Sequence, residues 1–177
     1  MALWAEDVRF ELATPSDFEV LVDLHVRSWQ SAYAGIVPDG FLAHEIGPMF
    51  RAWRRDELPL LQGSQTWLAR GRGRVLAFAD LGPGRDSDAT SARAELYAFH
   101  VDPDARGLGL GTRLLSTALE GLSAQGYEVI TAWVLEANYA AHRFYLGRGW
   151  QKDGRTLVEK VGSATLREVR FFTVISA

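Results

Sequence analysis

The chain has 177 residues, 47% apolar and 23% charged, with a formal net charge of −3 and no cysteine. That length and balance suit one compact domain over residues 1–177 and give no basic surface for nucleic acid. They also exclude disulfides, thiolate nucleophiles and Cys-bound zinc, and the histidines (His25, His44, His100, His142) lack the spacing of metal ligands.

Met1 to Asp7 carries no basic stretch leading into a long apolar core, and no apolar run approaches a membrane span, so the expectation is a cytoplasmic protein. Val8 to Ala13 alternates and is expected to form the first strand. Thr14-Pro15-Ser16-Asp17 then supplies a cap residue, a proline at the first helical position and an acid in the first turn. The helix that follows is expected to bury Phe18, Leu21, Val22, Leu24 and His25 or Val26 and to reach about Tyr33, with Gly35 to Gly40 as its break. Two further helical stretches are expected, from about Pro38 to His44 and from about Pro48 to Leu61. Thr66 to Arg70 and Arg74 to Leu81 are strand-like and meet at Gly71-Arg72-Gly73, a hairpin signal. The Gly-, Asp- and Ser-rich stretch 82–93 is expected to be an exposed, mobile loop. Ala94 to Val101 is the next strand, stopped by Asp102-Pro103-Asp104. Leu110, Leu114, Leu115, Ala118, Leu119 and Leu122 fall on one helical face, and Gly126 ends that helix. Glu128 to Leu135 reads as a strand and Asn138 to Arg148 as a helix closed by Gly149. Thr156 to Val161 and Leu166 to Ile175 are strands joined at Gly162-Ser163. Imperfect alternation of strands and helices implies an α/β (α+β) fold, a mixed sheet with helices on both faces.

Between the strand ending at Val101 and the helix of Leu114 lies Arg106-Gly107-Leu108-Gly109-Leu110-Gly111-Thr112. Glycines at a strand-to-helix turn let backbone approach a ligand, and the first N–H groups of the helix point at it. The positive end of the helix dipole favours an anion there, most often phosphate. The dinucleotide pattern G-x-G-x-x-G needs glycine at 112 or 114, where Thr112 and Leu114 stand. The triphosphate loop needs lysine after its last glycine and another glycine five places before Gly111, and neither is present. What remains is Arg106-x-x-Gly109-x-Gly111, or the plainer alternative of a glycine-softened turn between core elements.

This spacing resembles the acyl-CoA pyrophosphate loop of the GCN5-related N-acetyltransferase (GNAT) superfamily. Downstream, Asn138-x-x-Ala141-x-x-Phe144-Tyr145-x-x-x-Gly149-Trp150 resembles a helix of the same superfamily, with Trp150 where phenylalanine is common. Arg9-x-x-x-Ala13-x-x-x-Asp17 looks like its opening strand and helix. The resemblance is closest over 94–150, looser before it, and limited to strand character over 151–177. It implies a GNAT-like, mostly antiparallel sheet of six to seven strands. It also implies an enzyme that moves an acetyl group from acetyl-CoA to a primary amine by direct attack in a ternary complex. Backbone N–H groups of Leu108, Gly109, Leu110, Gly111 and Thr112 are then expected to hold the pyrophosphate, with Arg106 and Gly107 beside it. Phe99, His100 and Val101 are expected to offer backbone groups to the pantetheine arm, and Asn138 to contact that arm or fix the helix start. Tyr145 is the expected general acid near the sulfur; its alternative is a phenol hydrogen-bonded in the core.

For the base, the resemblance points first to Glu95, since a carboxyl group buried beside an apolar strand is shifted toward neutrality. His100 is the second candidate, and a water molecule the third. Strand alternation sets Glu95 and His100 on opposite faces unless a bulge intervenes. Trp29 and Tyr33, with the connection Gly35 to Gly40, resemble an acceptor-side segment of one bacterial subgroup, and Trp133 is expected to line the same cleft. Aromatic residues there suit an amine through cation–π contact; the alternative is that Trp29 and Tyr33 simply pack in the core. The expected acceptor is a small molecule. A protein or peptide acceptor, and a CoA-binding sensor without turnover, are the alternatives, and a homodimer is compatible with the superfamily.

Overall fold

Seven strands pair into one sheet in the order β1-β2-β3-β4-β5-β7-β6. The computed structural model describes residues 7–175. The strands are β1 Arg9–Leu12, β2 Gln65–Gly71, β3 Arg74–Pro83, β4 Arg93–Val101, β5 Val129–Leu135, β6 Gln151–Val161 and β7 Ala164–Val174. Every neighbouring pair is antiparallel except β4 and β5, which run parallel. The sheet is therefore the mixed, mostly antiparallel one expected. Strand β6 starts earlier than the sequence pattern suggests because Gln151 and Lys152 already pair with Phe172 and Phe171 ahead of an irregularity.

Helix α1 (Phe18–Tyr33) is launched by a single 3₁₀ turn in which the Thr14 N–H and hydroxyl both donate to Asp17 at 2.9 Å. Its Leu21 and Leu24 pack on Leu68, Val75, Phe78 and Ala98. Helix α3 (Leu110–Ala124) covers the opposite face, with Leu114, Leu115, Ala118 and Leu122 against Ala69, Ala79 and Ile130. Helix α4 (Tyr139–Leu146) adds Tyr145 to that second layer.

The two helical stretches expected between Pro38 and Leu61 are instead continuous. Phe41–Glu45 forms a π turn, Ile46–Ala52 is helix α2, Trp53–Glu57 forms a second π turn and Leu58–Leu60 a 3₁₀ turn. Pro48 lies inside this rod, just beyond the first π turn, and has no N–H to give to the turn before it. Burial of Phe41, Ile46 and Phe50 against Leu135, Ala164 and Leu166 keeps the rod on the sheet face that α1 covers.

The stretch 82–93 also departs from expectation: it is pinned rather than free. Arg170 on β7, 3% exposed, donates to Asp86 at 2.7 Å, to Asp88 at 2.8 and 2.9 Å, and to Asp153 at 2.7 Å. Trp133 Nε1 also donates to Asp86. A buried guanidinium requires anionic partners, and the acidic residues of this loop supply them.

Pairing between β4 and β5 extends only over Arg93–Leu96 and Val129–Ala132, after which the strands part. Against β3, Leu81 faces Leu96 and Asp80 faces Ala98, so Tyr97 is a bulge that turns the end of β4 aside.

Removing the buried cation should therefore loosen the loop and the sheet together. Arg170→Met is expected to lower unfolding stability by about 3 kcal/mol in urea titration, the low end for a broken buried pair because the carboxylates are partly exposed. Hydrogen bonds from Arg170 hold Asp88 well below the usual carboxylate range. That stabilisation is complete above the unfolded-state value and is lost as pH falls toward the folded one. The acid-side decline in melting temperature should accordingly be shallower in Arg170→Met than in the native chain.

Candidate active site

Where β4 and β5 separate, their facing backbone groups lack a ladder, and a cleft of about 1090 Å³ opens through the sheet. Phe99, His100 and Val101 line one wall, and Trp133, Val134 and Leu135 the other.

At one end stands the glycine turn. Gly107 and Gly109 have φ of 77° and 75°, the left-handed region, and a side chain at either would meet nothing within 4 Å. Helix α3 begins at Leu110 with Gly109 as its cap residue and no side-chain cap. Its first N–H groups are thus left to an outside partner, and Gly107, Gly109, Leu110, Gly111 and Thr112 line the cleft. The Leu108 side chain turns away to pack with Leu76, Ala105 and Leu110. Arg106 lines the cleft and donates to the Ser31 hydroxyl at 3.0 Å. A second cation, Arg148, lies 3.8 Å over the Phe144 ring and donates to the Thr112 hydroxyl. Sequence analysis missed it, although it stands one helical turn beyond Phe144, on the same side as the aromatic pair.

Helix α4 starts at the cleft. Asn138 Oδ1 accepts the Ala141 N–H at 3.1 Å, a side-chain cap, while its Nδ2 donates to the Tyr33 hydroxyl at 3.4 Å. Tyr145 packs between Trp150 and Phe171, with ring centroids 4.9 and 5.5 Å away. Its hydroxyl has no hydrogen-bond partner among the described residues, and the residue lines the cleft. Burial, with Tyr33 nearby, raises its pKa and keeps the phenol protonated at neutral pH.

The two expected bases differ in their surroundings. The Tyr97 bulge does bring Glu95 and His100 to one face of the sheet, since Ala98 packs with the α1 layer and Leu96 with the α3 layer. Yet Glu95, 2% exposed, is absent from the cleft wall and is held by Arg85: backbone N–H at 3.0 Å, Nε at 3.2 Å and Nη2 at 2.5 Å. Both of its oxygens are taken up by that residue. His100 lies against His25 and Phe78, and burial, helped by Arg54 and Arg106, pushes its pKa down to about 3. It is a poor proton acceptor at neutral pH.

The acceptor-side residues converge. Trp29 stands edge-on to Tyr33 at 4.7 Å and to Phe50 at 5.2 Å, and Trp29, Tyr33 and Trp133 all line the cleft. Tyr33 is buried, which lifts its pKa to about 12. Sequence analysis overlooked Glu168 on β7. Its register opposite Leu135 sets it on the sheet face of Leu166 and Ala164, beneath α2. It lines the cleft and makes no hydrogen bond or ion pair with the described residues. Burial, then Glu159 and Glu95, raise it to about 7 against the pull of Arg85.

Residues 23–150 match the profile described as the Acetyltransferase (GNAT) family. The chain is 29% identical over 157 residues to a probable N-acetyltransferase of Mycobacterium tuberculosis, covering 87% of this chain and 86% of that protein. Its fold is similar to that of the PaiA N-acetyltransferase from Thermoplasma acidophilum, solved in complex with coenzyme A. That likeness has a TM-score of 0.72 at 18% identity and covers 91% of this chain and 97% of the other. The ribosomal-protein-S18-alanine N-acetyltransferase from Escherichia coli is similar too, with a TM-score of 0.69 at 16% identity over 96% and 95% of the two chains. With its family profile spanning both the glycine turn and the Asn138 helix, the chain belongs to the GNAT family of acetyltransferases.

Proposed function

We propose that this chain transfers an acetyl group from acetyl-CoA to the primary amine of a small molecule by direct attack in a ternary complex. The observation that carries this reading is a single cleft onto which both the uncapped start of α3 and the unpartnered Tyr145 hydroxyl open. The residues present fit the cofactor. Amides at Gly109 to Thr112, with Arg106 and Arg148, suit the pyrophosphate, and the unladdered backbone of Phe99 to Val101 suits the amide-bearing pantetheine arm. Asn138 fixes the start of α4 beside it. Bound there, the cofactor supplies the acetyl thioester. A cleft of about 1090 Å³ is slightly larger than most small-molecule sites, roughly 300–1,000 Å³, and has to hold arm and acceptor together. That leaves room for a small amine.

An aliphatic amine with pKa of about 10 arrives charged. Glu168, deprotonated above about pH 7, takes its proton and passes it to solvent. The neutral nitrogen then forms the N–C bond as C–S breaks. The proton that nitrogen loses on acylation balances the one sulfur gains, and the Tyr145 hydroxyl delivers it as charge develops on the thiolate. Glu95 serves instead as the anchor of Arg85, and Trp29, Tyr33 and Trp133 bound the acceptor.

Tyr145→Phe is expected to lower kcat by roughly 10²-fold with little change in the KM for acetyl-CoA; an unchanged kcat removes the phenol from the mechanism. In the native enzyme kcat should rise with pH through about 7 as Glu168 ionises. Glu168→Gln should lose that limb and about 10²-fold in kcat, whereas retention of the limb assigns the proton to another group.

A further inference from the structure

The sheet ends in a strand left open. β6 is its edge, eleven residues long, and ten of them are exposed, so both faces of the strand meet solvent. Edge strands are ordinarily blunted by short length, proline or charge, because their free N–H and C=O groups attract another strand. β6 contains no proline. Its irregularity is confined to Asp153, Gly154 and Arg155, with Gly154 at a φ of 86°, and Thr156 to Val161 then pairs with β7 residue for residue. On the side away from β7, the backbone of that run makes no hydrogen bond to the described residues. Leu157 and Val158 are 38% and 57% exposed, one on each face.

The charges of the strand select what fits this edge. On the face shared with Glu168, β6 carries Arg155, Leu157 and Glu159. Leu157 stands opposite Glu168 and Glu159 opposite Leu166, and Arg155 reaches Asp88, a carboxylate that Arg170 on β7 also holds. Arg155 stays half exposed after that contact, and Glu159 has no hydrogen bond or ion pair with the described residues. Cation, apolar residue and anion at successive positions of one face are their own complement when the strand is reversed. Two copies related by a two-fold axis normal to the sheet run antiparallel with the same faces up, so opposed residues differ by an even number of places. Centred on Leu157, Leu157 meets its own copy, Thr156 meets Val158, and Arg155 meets Glu159 twice by symmetry. Centring on Thr156 or Val158 sets Leu157 against Arg155 or Glu159, and centring on Glu159 sets that acid against itself. Opposite charges directly across a ladder support it and like charges destabilise it, which singles out the Leu157 register.

We propose that β6 pairs with β6 of a second copy of this chain, antiparallel and centred on Leu157, joining two sheets into one across paired Arg155–Glu159 contacts. The two-fold relation closes the assembly at a dimer, because each copy uses the same edge. Glu159 lines the cleft, so each copy sets an arginine beside a residue of the other's cleft.

The chain has no cysteine, so a single introduced thiol reports the register. L157C should form an intermolecular disulfide under mild oxidation, because directly opposed Cα atoms lie about 4.5–5.5 Å apart, within disulfide reach. K160C, also exposed on this strand, should not, since its two copies stand about 20 Å apart in the proposed register. Sedimentation of the native chain over roughly 10–500 µM should show a reversible monomer–dimer equilibrium, as suits a small interface. E159R should weaken that equilibrium roughly 10-fold or more through two repulsive pairs, and R155E/E159R should restore it. Melting curves show whether each variant folds. A chain that stays monomeric throughout, cross-linking of K160C as readily as L157C, a dimer indifferent to E159R, or a folded R155E/E159R that fails to regain it overturns the inference.

Discussion

Parallel strands β4 and β5 pair for only a few residues and then part, and the site is a consequence of that separation. A backbone that leaves its ladder must find other hydrogen-bond partners or water. Here the bulge at Tyr97 turns β4 away, while β5 stays bound to β7 along its whole length. The rift between them is therefore a gap built into the sheet. Helix α3 begins at one side of it and helix α4 at the other, so a helix start and the Tyr145 ring face the same space. Sites carried on strands and helix ends keep their geometry better than sites on loops.

Electrostatics gives the rift a direction. Uncapped amides and two arginines without acidic partners gather at the α3 end, and Glu168, with no hydrogen bond or ion pair to the described residues, lines the wall beneath α2. Close by lie the Arg85–Glu95 and Arg54–Asp80 pairs, both with a nearly inaccessible carboxylate. An isolated charge at such depth is strongly disfavoured. The pairs thus let ionic residues stand close to the cleft without adding net charge to it. The Arg170 cluster works one layer further out, fixing the loop that carries Arg85 and, through Asp86, the indole of Trp133.

Much of this was legible in the sequence where the signal is local. Left-handed glycines ahead of an amphipathic helix, and an asparagine three residues before the amide it caps, are short-range patterns with a mechanical cause. Strands and helices could be placed for the same reason. What depended on distant pairing was not legible. Glu95 looks like a base until Arg85, ten residues earlier and across the β3–β4 connection, is seen to occupy it. Glu168 stands in a strand of mixed charge, and only its register against Leu135 turns it into the cleft. The stretch 82–93 has a loop's composition, yet its aspartates answer a buried arginine on β7 that no local window contains.

A crystal structure of the protein with coenzyme A bears most directly on the role of the β4–β5 rift. The diphosphate should lie within hydrogen-bonding distance of the amides at Gly109 to Thr112, with the pantetheine between the separated strands and the sulfur beside the Tyr145 hydroxyl. Coenzyme bound on another surface, or a thiol directed away from Tyr145, would contradict the assignment of this cleft as the place of acetyl transfer.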